Sequence, residues 1–296
     1  MLPRASSSLI VTAPLRQLSR PAHAPYNYCV LMIKRVDSGT FKSTHVFPGG
    51  VQEPADLQLS TSLGDPTAVG GSRLCALRET YEETGLLLAK PASTAAAIAA
   101  NASGQSFASL CASNRGLQMH EARLIGRWVT PRAAKRRFDT RFFLSSISDQ
   151  DAHLLDQLRS VRAQATEVVQ MDWLRPDEAL QANGRRQIAM PVPQLYILNE
   201  LSRVHRWQDL HRIGSVGDGF EAILCPRSDG KVVALLPGDR AYTHDAAVAD
   251  AELFGEHDAS SLHRLVLERA EPGGFYAIKL LRSAAAATPQ KSGHKL

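Results

Sequence analysis

The stretch Arg78-Glu79-Thr80-Tyr81-Glu82-Glu83-Thr84-Gly85-Leu86, read with Val46-Phe47-Pro48-Gly49-Gly50 upstream, constrains this chain more than any other feature. In a helix, Glu79, Glu82 and Glu83 stand at i, i+3 and i+4, so their Cβ atoms share one face at about 5–6 Å spacing. Each like-charged neighbour costs roughly 0.2–0.5 kcal/mol in a bare helix, and a divalent cation is the natural compensation. Hard carboxylate oxygens favour Mg2+ or Mn2+. Leu74, Leu77 and Tyr81 recur at i, i+3 and i+7 on the other side, giving one face to the core and one to chemistry. The reading places Ser72 at the N-cap and Gly85 in a left-handed C-terminal cap, so the helix ends near Thr84. Phe47-Pro48-Gly49-Gly50 reads as a strand end entering a loop whose glycines let the backbone approach a ligand and offer it a carbonyl.

Arg78, Glu79, Glu82, Glu83, Gly85 and Leu86, behind a Gly-Gly turn, resemble the Nudix signature G-x5-E-x7-R-E-U-x-E-E-x-G-U. Thr80 replaces the aliphatic U. Counted from Gly50, the first acidic position falls on Asp56, and the spacing from there to Arg78 exceeds the pattern by fourteen residues. The surplus, 57–70, contains Gly64, Asp65, Pro66 and Gly70 and reads as a loop insertion before the helix.

Further along, Trp128-Val129-Thr130-Pro131, Arg137-Phe138-Asp139-Thr140 and Phe142-Phe143 resemble the Nudix branch of peroxisomal coenzyme A and acyl-coenzyme A diphosphatases, as does the Ala-rich insertion at 91–116. The resemblance implies an α/β fold, a Nudix α/β/α sandwich with a mixed sheet. It also implies a set of roles. Glu82 and Glu83 bind Mg2+ or Mn2+ with the Gly49 carbonyl, Glu79 shares the cluster or helps deprotonate water, and Arg78 orients a glutamate. Glu167, at the head of the strand 167–174, is the best candidate for a further metal ligand, with Asp172 as competitor. Arg35 and Gly50 near the turn, and Arg136 and Arg137 in the basic loop 132–137 between two strands, are the candidate substrate contacts.

The chain of 296 residues divides into a Nudix domain at 1–205, a β-rich extension at 206–282 and a tail at 283–296. Short apolar runs at 222–226, 232–236, 265–267 and 275–278, separated by Gly, Asp and Pro turns, define the extension. No apolar run approaches the ~20 residues that span a bilayer, so no membrane partner is expected. The net charge of +5 favours a polyanion such as a small nucleotide substrate. Nucleic acid is not favoured, because no aromatic stacking array accompanies the basic loop. Cys29, Cys75, Cys111 and Cys225 form no C-x-x-C pair, which indicates neither a zinc site nor a disulfide framework.

Residues 8–12 read as a strand, with an Arg- and Ser-containing transit peptide as the alternative. His294-Lys295-Leu296 resembles a peroxisomal address in its last two residues, which would engage an import receptor; cytoplasmic or mitochondrial placement is the alternative. The expected activity is hydrolysis of coenzyme A or acyl-coenzyme A to 3′,5′-ADP and (acyl-)4′-phosphopantetheine. NADH or ADP-ribose pyrophosphatase, RNA decapping and a non-catalytic nucleotide-binding module are the alternatives.

Overall fold

A computed structural model describes residues 2–18, 25–35, 43–90, 105–113, 117–158, 168–242, 262–271 and 273–282. Glu167, most of the Ala-rich insertion and the tail lie outside them. The main sheet is built on β1 (Arg4–Pro14), whose inner residues are buried on both faces. It pairs antiparallel with β2 (Tyr28–Arg35) and with β4 (Gly49–Val51), and parallel with β8 (Phe138–Ser146). The short β3 (His45–Val46) and β9 (Val168–Leu174) extend β2, while β7 (Arg123–Val129) and β10 (Asp218–Glu221) continue beyond β8, so the sheet is mixed. A minor sheet joins β5 (Ala89–Lys90) to β6 (Gln118–Met119).

The period-two alternation of these strands feeds two cores. Leu9, Val11, Leu31 and Phe143 face a layer containing α2 (Ala68–Thr84), through Leu74, Leu77 and Tyr81. Ile10, Val30, Met32, Phe142 and Leu144 face the other layer, where Leu195 and Leu198 of the helix Val192–Leu201 pack. Helix, sheet and helix thus form the expected sandwich. No helix among the described residues is long and apolar enough to cross a membrane.

Two local expectations need correction. The segment 57–70 is not a loop: α1 (Pro54–Ser62) begins before it, and α2 starts at Ala68, with Thr67 rather than Ser72 as N-cap. The Thr67 hydroxyl accepts from the Gly70 N–H at 2.9 Å. A Cβ on Gly70 would fall 2.3 Å from the Asp65 carboxylate carbon, and one on Gly71 would fall 3.2 Å from Leu57 Cβ. These glycines close a helical hairpin; they do not break a helix. The far end behaves as expected, with Gly85 at φ +76° and its N–H donating to the Tyr81 carbonyl at 2.7 Å.

Of the extension expected at 206–282, β10 belongs to the main sheet, and the strands after it form a four-stranded antiparallel sheet, β11 (Ile223–Pro226), β12 (Val232–Leu235), β13 (His263–Arg269) and β14 (Phe275–Arg282). It shares a core with the Nudix body: Val232, Ala234, Leu265 and Leu267 join Trp128, Leu195 and Tyr196 in one cluster. The Tyr196 hydroxyl and His263 Nε2 are 2.9 Å apart, and Asn183 bonds both the Phe275 carbonyl and the Ala277 N–H, at 2.9 and 2.7 Å.

Inside the extension, the Asp239 carboxylate accepts from the His263 N–H and from Arg264 Nε, both at 2.7 Å, in a nearly dry setting. Burial would lift this carboxyl, but the Arg264 hydrogen bond, the His263 and Ala241 amides and the Arg264 charge hold it below the usual carboxylate range. A lowered folded value means that the stabilisation is complete above roughly pH 4 and is lost as pH falls through that value. Asp239→Asn is expected to melt below wild type at pH 7, with the gap closing as the melts are repeated towards pH 3.

Candidate active site

Sequence local to the Gly-Gly turn places the backbone of β4 against both β1 and α2. A Cβ on Gly49 would fall 2.4 Å from the Ser7 carbonyl oxygen, and one on Gly50 would fall 2.3 Å from the Glu79 carboxylate carbon. Only hydrogen fits at Gly49, where the obstacle is backbone; at Gly50 the obstacle is the flexible end of Glu79. Gly50→Ala is therefore expected to push Glu79 aside and reduce turnover with little loss of melting temperature, readable by kinetics and calorimetry together.

Arg78 is the hub of the acidic cluster. Its Nε donates to Asp56 Oδ1 at 2.7 Å, Nη2 to Asp56 Oδ2 at 3.1 Å and to the Val51 carbonyl at 3.2 Å, and Nη1 to Glu82 at 2.8 Å. Nη1 also lies 3.0 Å from Glu79 Oε1, an ion pair beside the hydrogen bond to Glu82. Burial opposes its charge, but the Asp56 hydrogen bonds and the Glu79, Asp56 and Glu82 charges outweigh this and raise its pKa. Asp56 is thus the anchor of Arg78 despite the fourteen extra residues between them.

Glu83, 2% exposed, accepts from the Gly49 N–H at 2.8 Å. Arg35 Nη1 donates to the Gly49 carbonyl at 3.2 Å and lies 3.7 Å from Glu83 Oε1. Burial lifts the Glu82 carboxyl above its ordinary range; Arg78 pulls it back, while Glu53 and Asp56 push it further up. The glutamates hold these partners and do not converge on one point: among the described residues no three His, Cys, Asp or Glu side chains are set as a metal-binding group. The donor set nevertheless fits a hard divalent cation, with Glu53, Glu79, Glu82, Glu83 and Gly49 on one cleft of about 1260 Å³. Arg35 stands between two of those oxygen donors.

Of the candidate residues, Arg35, Gly49, Gly50, Arg78, Glu79, Glu82 and Glu83 line the cleft. It does not bring in the other two basic candidates: Arg136 is exposed away from the lining, and Arg137 donates to the Thr130 carbonyl at 3.0 Å and to Glu221 at 3.1 Å. Arg132 and Arg269 line the cleft instead. Asp172 lies 3.5 Å from buried His45 Nε2, outside the lining. Glu53 was missed; its only sequence signal is an acid directly before the Pro54 that opens α1.

This sandwich, with its Arg-Glu-x-x-Glu-Glu helix under a Gly-Gly turn, defines a Nudix hydrolase, an enzyme acting on diphosphate-containing substrates. More narrowly, the chain belongs to the family described as the NUDT19 Nudix domain, whose profile matches residues 57–204. It is 28% identical to the acyl-coenzyme A diphosphatase NUDT19 of Gallus gallus over 81% of this chain and 79% of that protein. Identity to the Homo sapiens protein of the same name is 31%, over 59% of this chain and 51% of that one. Among solved structures, a NUDIX hydrolase from Alicyclobacillus acidocaldarius superposes with a TM-score of 0.58 at 25% identity, covering 73% of this chain and 99% of that one.

Proposed function

We propose that this protein is a metal-dependent diphosphatase that hydrolyses the phosphoanhydride of coenzyme A or acyl-coenzyme A to 3′,5′-ADP and (acyl-)4′-phosphopantetheine. The observation that carries the reading is that Glu79, Glu82, Glu83 and Gly49 line one cleft of about 1260 Å³, large enough for an extended substrate. The names of the chicken and human relatives supply the substrate class. Mg2+ or Mn2+ held by these groups would neutralise the diphosphate and lower the pKa of an attacking water. Glu167 stays in the proposed ligand set; its neighbour Val168 pairs with Arg35 across β2 and β9.

In this mechanism Arg78 fixes Glu79 and Glu82 through Nη1, and Asp56 keeps that guanidinium from turning. Glu79, packed beneath Gly50, shares the metal cluster or helps take a proton from water. Arg35 can leave Gly49 and Glu83 and turn to a diphosphate oxygen. Arg35→Gln is therefore expected to bind Mn2+ alone more tightly by electron paramagnetic resonance. The same variant is expected to raise KM roughly tenfold or more, the loss of a charge-assisted contact; unchanged Mn2+ affinity would remove Arg35 from this role.

The reading is tested by comparing coenzyme A, acetyl-coenzyme A, NADH and ADP-ribose with Mg2+ and Mn2+, products being separated by chromatography. Release of 3′,5′-ADP from the coenzyme A substrates as the fastest reaction is the expected result. Faster cleavage of NADH or ADP-ribose would discard the substrate class but keep the site.

A further inference from the structure

The cleft does not end with the Nudix body. Its far wall is supplied by the C-terminal sheet, through Ala222 beside β11, Ile223, Leu224 and Pro226 of β11, and Ala270 and Phe275 around the β13–β14 turn. Trp128, Pro131 and Phe138 of the β7–β8 unit also line this cavity. Leu224 and Phe275 are only half-buried, so their apolar surface is available to a ligand, whereas Ile223, next along the strand, packs on the other face against Cys225, Val233 and Leu235.

This wall is fixed to the body. Gly274 adopts φ +79°, and a Cβ there would lie 2.7 Å from Thr44 Cγ2 and 3.2 Å from the Met190 nitrogen. Phe275 exchanges backbone hydrogen bonds with Met190 at 2.9 and 3.1 Å, and Arg282 ties β14 to Glu200 at 2.6 Å. One cavity thus joins a glutamate-rich end, with Arg35 and Arg78, to a wall whose apolar side chains stand among Arg132, Glu221, Arg269 and Glu271. A ligand matching both is a diphosphate carrying an extended arm of amide groups and apolar carbons.

The geometry points to the C-terminal sheet as the specificity element of this enzyme: Leu224 and Phe275 seat the acyl-pantetheine arm of an acyl-coenzyme A while the glutamate end holds its diphosphate. This rests on the diphosphatase reading above. Each methylene fully buried on this wall is worth about fourfold in affinity, so short acyl chains already discriminate.

The test is steady-state kinetics of the full chain with coenzyme A, acetyl-coenzyme A and hexanoyl-coenzyme A, for wild type, Leu224→Asn and Phe275→Ala, with melting curves of each. For wild type, kcat/KM is expected to rise from coenzyme A to hexanoyl-coenzyme A through a falling KM. In both variants the hexanoyl preference is expected to shrink about tenfold. Wild-type hydrolysis of all three at equal kcat/KM, or variants that lower all three in proportion, would overturn the role of the sheet while leaving the diphosphatase reading intact. Absence of hydrolysis of all three by wild type would overturn that reading and this inference together. The wild-type chain-length series stands as a test even where a variant fails to fold.

Discussion

Glu83→Gln is expected to reduce metal-supported turnover by about 10²–10³-fold, the scale seen when one charge-stabilising group is lost from a water-excluded site. Glutamine is close in shape, and its amide oxygen can still accept the Gly49 N–H that Glu83 now accepts at 2.8 Å. Fold and melting temperature are therefore expected to persist. What disappears is a negative charge that is 2% exposed, faces Arg35 and borders the Gly49 carbonyl. Loss of kcat with an unaltered melt assigns the residue to chemistry. A kcat within about threefold of wild type, far short of the expected range, would take Glu83 out of the site.

Asp56→Ala is expected to have the largest effect on stability. The Asp56 side chain is 2% exposed and takes two of the five Arg78 donors, so its removal leaves a buried guanidinium short of its main partner. Breaking a buried pair from one side costs about 3–5 kcal/mol, or roughly 10 °C in melting temperature for a chain of this size. Turnover is expected to fall as well, because Glu79 and Glu82 are positioned through the same guanidinium. Calorimetry of Asp56→Ala beside Asp56→Asn checks this: the asparagine, which keeps one oxygen acceptor, is expected to recover part of the loss. An unchanged melt in Asp56→Ala would mean that Arg78 is held by other groups.

The parts of the site legible in the sequence are those set by local spacing. Glu79, Glu82 and Glu83 share a face because a helix has a fixed pitch, and Gly85 ends that helix because only a residue without Cβ adopts φ +76° at no cost. The beginning of the same helix was obscured. Gly64, Asp65, Pro66 and Gly70 have the composition of a loop, and their use in a tight helical hairpin depends on contacts with Asp65 and Leu57 that no local pattern encodes. The Asp56–Arg78 pair bridges 22 positions, so only the folded chain reveals it. The strands of the C-terminal extension are visible as apolar runs, whereas their docking depends on Tyr196, His263 and Trp128 meeting from distant segments. Likewise, Arg132 and Arg137 are equally basic in sequence; in the fold both meet Glu221, at 3.7 and 3.1 Å, and of the two Arg132 lines the cleft.

The most direct measurement is anomalous scattering from a crystal soaked in Mn2+, with catalytic turnover measured on the same preparation. The account predicts a Mn2+ peak bounded by carboxylates of Glu79, Glu82 and Glu83 and by the Gly49 carbonyl, with Arg35 turned away from that oxygen. A peak elsewhere in an enzyme whose turnover requires Mn2+, with Arg35 still on Gly49, would contradict it.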